Sequence, residues 1–257
     1  MHVARLSVTA VKGTRLLQID QVRLDREGVR ENRRFFLIDE RDRMVNAKNI
    51  GELQTLVTRY DDESRRLEIE FPDGRAMTDT VRVDDPITVR FFSREVSARP
   101  VLGDFSEAIS AHVGRALRLL EADGDGAVDR GTIGAVSLIS RASLARLAEE
   151  GALDWLDPRR FRMLIELDGV EAHGEDAWIG STVAVGGAVI RPRGHVGRCL
   201  ITSRDPDTGV VDVPTLEILG AYRREAKTTE PLPFGIYGEV IEPGTVAVGD
   251  PVKLRAG

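Results

Sequence analysis

The chain reads as a mainly β protein with peripheral helices (α+β), arranged as two β-barrel-like parts. Three observations lead there. Short segments that alternate apolar and polar side chains recur along the chain. Pro, Gly, Asn and Asp interrupt them at short intervals, as turns require. Segments with helical spacing are few and lie between strand runs, which favours barrels decorated by helices.

The elements follow in order. Residues 2–8 and 16–24 alternate with period two and are expected as strands. Phe35-Phe36-Leu37-Ile38 and Met44-Val45 flank the polar run Asp39-Glu40-Arg41-Asp42, so two strands across a turn are expected. Strands over 53–59, 67–71, 81–83 and 87–92 continue the series. Pro72-Asp73-Gly74 makes a turn, because Pro fixes φ and Gly tolerates positive φ. Near Phe105 the period changes. Phe105, Ile109, Val113, Ala116, Leu117 and Leu120 recur at helical spacing behind Asp104, which predicts a helical linker over about 103–122. Asp123-Gly124-Asp125-Gly126 reads as a loop, and Ala127 stands where a calcium loop needs its third acid. Residues 136–139 read as a strand leading to Ser140, an N-cap for a helix over 142–150 that Gly151 ends. Strands are expected over 161–167, 183–190 and 196–203. Pro214 opens a helix to about 225, and residues 237–241 and 245–254 read as a closing hairpin around Pro243-Gly244.

Bulk properties narrow the function classes. The 257 residues are 42% hydrophobic and 30% charged, as in a globular protein with a real core. A net charge of −6 argues against a general nucleic-acid surface. No apolar run approaches the ~20 residues of a membrane span, and the first residues read as a strand rather than a signal peptide. The single cysteine, Cys199, permits no internal disulfide, so a cytoplasmic location is expected. It also excludes an iron–sulfur cluster held by four thiolates of these residues, so electrons for any redox role come from a separate donor. His2, His112 and His173 show no zinc-ligand spacing.

Cys199 is the main chemical feature. It sits among Arg191, Arg193, His195 and Arg198, ahead of a turn made by Asp205, Pro206, Asp207, Thr208 and Gly209. Nearby cations favour the thiolate, the form that attacks electrophiles, carries sulfur and binds soft metals. An inert buried thiol is the plain alternative. His195 is four residues away, about 13 Å along a straight strand, so it reaches Cys199 only if Gly194 and Gly197 bend the chain. No Asn or Asp orients His195 recognisably, which disfavours a cysteine-hydrolase triad.

Several ordered motifs carry a resemblance. Ser140-Arg141-Ala142-Ser143-Leu144, Arg160-Phe161-Arg162, Glu175-Asp176-Ala177-Trp178, Arg198-Cys199 with Asp205-Pro206-Asp207-Thr208-Gly209, Phe234-Gly235-Ile236-Tyr237 and Val248-Gly249-Asp250-Pro251-Val252 together resemble the MOSC domain. Val11-Lys12-Gly13, Arg34 through Glu40 and Met44-Val45-Asn46-Ala47-Lys48 resemble the β-barrel domain that precedes it. The resemblance implies an N-terminal barrel over 1–102 and a MOSC part over 103–257, with its core at about 130–255.

It also implies one of two activities. Some family members bind molybdenum cofactor (molybdopterin) and reduce small N-oxygenated compounds with electrons from a separate reductase or ferredoxin-type donor. Others were proposed to carry sulfur as a cysteine persulfide supplied by a cysteine desulfurase. For the first kind, Cys199 is implied as the metal ligand, with Lys12, Arg34 and Arg162 holding the pterin and its phosphate. Lys48, Arg198, Thr202, Phe234 and Gly235 are implied around it, and His195 as a catalytic or wall residue. Arginine suits phosphate because its planar fork bonds two oxygens, and molybdenum favours soft sulfur. Three positions depart from the pattern. Gly13 replaces a hydroxyl residue, Lys48 an arginine and Leu164 an asparagine. These leave open a third reading, a non-catalytic barrel that binds an anion or small molecule. Asp205, Asp207, Thr208 and Asp250 are read as turn builders, and Trp178, Phe234 and Tyr237 as core or pocket wall.

Overall fold

Alternation at the N-terminus becomes β1 (His2–Val8), whose Val3 and Leu6 are fully buried. The computed structural model describes residues 1–124, 128 and 131–255. The expected loop residues Asp125 and Gly126, with Ala127, lie outside the described residues. Then come β2 (Leu17–Ile19), β3 (Gln21–Leu24), β4 (Phe35–Ile38), β5 (Met44–Val45), β6 (Val57–Asp61), β7 (Arg66–Glu70), β8 (Ala76–Thr80), β9 (Ile87–Phe91) and β10 (Arg94–Pro100). After α1 (Phe105–Val113) follow β11 (Arg118–Ala122), β12 (Val136–Ser140), α2 (Arg141–Glu150), β13 (Ile165–Asp168), β14 (Thr182–Val185) and β15 (Ala188–Gly197). The described chain closes with α3 (Thr215–Tyr222), β16 (Pro233–Glu242), β17 (Gly244–Ala247) and β18 (Val252–Arg255).

The architecture is mainly β with two barrel-like sheets. One sheet has eight strands in the order β18-β14-β15-β16-β12-β13-β1-β2. It curls until β1 meets the segment before β18, through Val3 N–H to Asp250 C=O (2.9 Å) and Gly249 N–H to Val3 C=O (2.8 Å). The other has five strands in the order β5-β4-β11-β10-β9, and a bridge between Arg43 and Arg90 brings its two edges together. Strands β6, β7 and β8 form a separate meander, and β3 pairs with β17.

Strand β4 explains its own sequence. All four of its residues are buried because both faces are covered. Phe35 and Leu37 enter one apolar cluster, with Leu53, Leu67 and Phe105; Phe36 and Ile38 enter another, with Val89 and Phe91. Strand β11 does the same, sending Leu119 to the first cluster and Leu120 to the second.

Several expectations are corrected. The stretch 53–59 begins in a 3₁₀ turn (Gly51–Thr55) before β6, and 81–83 holds only a bridge from Val83 to Val101, the strand lying earlier as β8. The helix through Leu120 stops at Val113, where Gly114 turns left-handed (φ 65°), and Arg118–Ala122 is a strand between β4 and β10. Leu117 and Leu120 fit a helical repeat, but they lie past that glycine on extended backbone. The stretch 161–167 begins as a 3₁₀ turn (Pro158–Phe161) rather than a strand, and Arg162 caps it with φ 55°. The stretch 196–203 breaks after Gly197 into another 3₁₀ turn, Leu200–Ser203, with Cys199 as its extended N-cap. The closing hairpin is absent among the described residues: β17 pairs with β3 and β18 with β14. The helix over 142–150 forms as expected, and the Ser140 hydroxyl accepts from the Ser143 amide (3.0 Å).

Candidate functional site

A cavity of about 420 Å³ opens between the two barrel-like sheets. One wall comes from the first hundred residues and includes Lys12, Gly13, Arg33, Asn46 and Phe92. The other comes from the second half and includes Arg162, Met163, Arg198, Cys199, Thr202 and Tyr237.

The N-terminal wall rests on buried hydroxyls. Thr9, Thr14 and Thr58 form a closed ring of side-chain contacts at 2.6, 2.8 and 3.1 Å, and the Val11 amide donates to Thr58 (3.1 Å). With all three threonines essentially unexposed, the ring fixes the loop that presents Lys12 and Gly13. The Lys12 ammonium lies over the rings of Phe91 and Phe92, 5.7 and 5.6 Å from their centroids. The walls meet through two arginines. Arg33 donates to the Arg162 carbonyl (2.6 Å), and Arg162 donates to the Thr14 carbonyl (2.8 Å).

The C-terminal wall rests on charge-assisted hydrogen bonds. The Arg198 guanidinium donates to the carbonyls of Phe161 (2.7 Å) and Phe234 (2.8 Å) and lies against both rings. It ties the turn that precedes Arg162 to the strand that follows Leu232. Cys199 is half-buried beside it. Thr202 donates through its amide and hydroxyl to the Cys199 carbonyl, both at 3.0 Å, and its hydroxyl meets Thr215 at 2.7 Å. The turn over 205–209 forms as expected: Asp205 accepts from the Asp207 and Thr208 amides, and its carbonyl accepts from Gln54 (2.8 Å). Arg159 grips Asp207 with two bonds (2.9 and 2.7 Å), which hold that carboxyl below its ordinary pKa.

Lys12, Arg162, Arg198, Thr202 and Cys199 therefore share one cavity. Arg34 does not join them. It pairs with the buried Glu121 (2.9 Å), which also binds Arg65 (2.8 Å), while its neighbour Arg33, at φ 53°, turns into the cavity. Lys48 is exposed and lies off the lining, and Asn46 takes that place while accepting from the Lys48 amide (2.8 Å). Phe234 is fully buried behind the wall, packed on Phe161, and Gly235 follows it at φ 75° with no space for a Cβ beside the Leu138 carbonyl. Gly13 has φ 100°, and a Cβ there would meet the Ala47 nitrogen at 3.0 Å. Leu164 points into the core of the eight-stranded sheet, away from the cavity, whereas Met163 lines it.

His195 is also outside the lining. Its Nε2 faces Asp176 Oδ1 at 3.5 Å, and Asp176 pairs with Arg223 at 2.6 Å. An acid therefore does stand against this histidine, but the pair lies away from the thiol. Burial holds the imidazole below its ordinary pKa; Asp176 opposes that shift and Arg223 adds to it. Tyr237, read as core or pocket wall, does line the cavity, whereas Arg33, Phe92 and Met163 carried no sequence signal of their own and Asn46 only its place in a motif, since long-range packing brings them together.

Among the described residues no cluster of three His, Cys, Asp or Glu side chains could hold a bare metal ion. The cavity offers one thiol amid several cations. That donor set suits an anionic ligand that brings most of a soft metal's ligands with it. No described helix is long and apolar enough to cross a membrane.

Residues 125–253 match the MOSC domain, and residues 1–116 match the MOSC N-terminal beta barrel domain. The chain is 27% identical to mitochondrial amidoxime-reducing component 1 of Mus musculus, over 98% of this chain and 82% of that protein. It is 35% identical to the human component 1 over 46% of this chain and 36% of the relative. For the human component 2 it is 38% identical, over 36% of this chain and 29% of the relative. The YuaD protein of Bacillus subtilis aligns over 99% of this chain and 95% of its own, with a TM-score of 0.46 and 11% identity. YiiM of Escherichia coli aligns over 54% and 59%, with a TM-score of 0.36 and 18% identity. With its two domains matched in order along nearly its whole length, the chain belongs to the MOSC domain family.

Proposed function

We propose that this chain binds molybdenum cofactor in the cavity and reduces small N-oxygenated substrates with electrons from a separate protein. One observation carries the reading: Cys199 shares a cavity of adequate size with cationic side chains from both halves of the chain. The names of the relatives, amidoxime-reducing components, support the substrate class.

Cys199 would supply a thiolate ligand to the metal. Lys12, Arg162 and Arg198 would face the anionic pterin and its phosphate, with Arg33 in the place first given to Arg34. When bound, the cofactor would supply two-electron redox chemistry at molybdenum. The protein orients and shields. Thr202 fixes the Cys199 backbone, the threonine ring fixes the Lys12 loop, and Phe161, Met163 and Phe92 supply apolar lining. The single cysteine supports a reducing compartment such as the cytoplasm.

The test is metal and pterin content of protein made in a host that synthesises the cofactor, with Cys199→Ser beside it. Near-stoichiometric molybdenum and pterin, with molybdenum lost in the variant, are expected. Absence of both from the wild-type protein overturns the reading. Incubation with a desulfurase and cysteine, followed by mass spectrometry of Cys199, would then decide between a sulfur carrier and a barrel without this chemistry.

A further inference from the structure

Residues 226–232 cross the outside of β15 as a surface strap between α3 and β16. Thr229, itself exposed, makes three contacts with one buried residue. Its hydroxyl accepts from the His195 backbone N–H (2.9 Å) and meets the ring Nδ1 (3.2 Å), and its own amide donates to that same Nδ1 (3.2 Å). The amide bond assigns Nδ1 as an acceptor, so the neutral ring carries its proton on Nε2, facing Asp176. His195 is 4% exposed beneath the strap.

The strap is fitted to this strand. A Cβ on Gly194 would meet the Thr229 hydroxyl at 3.0 Å, and one on Gly197 would meet the Glu230 carboxylate at 3.1 Å. Beyond Thr229, the Leu232 carbonyl accepts from the Arg198 N–H (3.1 Å). The strap therefore ends on the residue next to Cys199, at the cavity wall.

We infer that His195 is a positioning residue: its neutral ring latches the 226–232 strap onto β15, and through Leu232 the strap sets the Gly197–Cys199 edge of the cavity. Acid releases the latch, because a proton on Nδ1 sets a second hydrogen against the Thr229 amide. The charged groups facing the ring are Asp176, from the turn before β14, and Arg223, from the end of α3. With the ring open to water its pKa returns to about 6.5, and with the strap closed it lies lower. The contribution of the latch is complete above about pH 6.5 and declines as pH falls toward the closed-state value. For one proton the decline is at most about tenfold in the closing equilibrium per pH unit. The inference concerns the empty protein as much as any loaded form, so it stands apart from the cofactor reading.

The test is amide hydrogen exchange at Thr229 and Arg198 from pH 4.5 to 8, corrected for intrinsic rates, in wild-type protein, His195→Asn and Thr229→Ala. Asparagine keeps an acceptor near the Nδ1 position that does not titrate. Wild-type protection at both amides should fall below pH 6.5 by up to about tenfold per unit, while His195→Asn holds a flat profile. Thr229→Ala should speed Arg198 exchange at neutral pH and leave the eight-stranded sheet protected. Matching acid profiles in wild type and His195→Asn overturn the latch. If His195→Asn does not fold, Thr229→Ala decides the coupling: unchanged Arg198 exchange separates the strap from the cavity wall and overturns the inference.

Discussion

The two walls of the cavity are built from opposite materials. The N-terminal wall is held by neutral hydroxyls in a ring with no exposed member, the C-terminal wall by arginines clamped on carbonyls and carboxylates. A buried neutral network is insensitive to salt and to pH, whereas charged pairs nearer solvent are screened and titrate. The two walls should therefore answer differently to salt.

The largest effect is expected at Arg198, whose side chain joins two segments of the charged wall. Arg198→Ala should cost about 3 kcal/mol, the scale of two hydrogen bonds from a charged donor with both carbonyls left short of a partner. Urea denaturation would measure it, and a loss below about 1 kcal/mol would show that the carbonyls find other donors. Thr14→Val should cost about 2 kcal/mol, since it leaves buried partners of the threonine ring unsatisfied. That cost should be the same at pH 5 and pH 8 and in low or high salt, and a marked salt dependence would break the contrast between the walls. Gly13→Ser should cost about 1 kcal/mol, the scale set for a side chain placed in the left-handed region. A stabilised variant would mean that the loop relaxes away from Ala47.

The smallest effect belongs to Asp207. Arg159 holds its carboxyl below the ordinary value, so the grip is complete above about pH 4 and lost as pH falls through the lower folded value. Because Asp207 is half-exposed, the change should stay below about 1 kcal/mol. Melting curves between pH 3 and 5 for wild type and Asp207→Asn should converge at the acid end. Parallel curves would show that this ion pair contributes nothing measurable.

Much of the fold was legible where one face of a strand is buried. Strands β4, β7 and β9 alternate or run apolar in the way their burial requires. Strand β10 was missed although Val96, Ala98 and Pro100 alternate with exposed Glu95, Ser97 and Arg99, because only the small Ala98 is fully buried and the apolar signal is weak. The helix expected through Leu120 failed for the converse reason: a strand buried on both faces fits a helical repeat as easily as a β one, and only Gly114 marks the break. In the site, Cys199, Arg162 and Lys12 could be found because their motifs are local. Arg34 and Arg33 could not be told apart, since a left-handed φ at Arg33 decides which one enters the cavity. Sequence leaves His195 either as a partner of the thiol, if Gly194 and Gly197 bend the chain, or as a wall residue; the backbone instead turns its ring toward Asp176.

The doubly buried β4 and β11 have a consequence for how the molecule comes apart. Each supplies alternate side chains to two apolar clusters, so the clusters share a wall two strands wide. Neither can be lost while the other survives, because opening one exposes the backs of the same strands. The two clusters therefore unfold as one cooperative unit, and the amides of β4 and β11 exchange only when that whole unit opens.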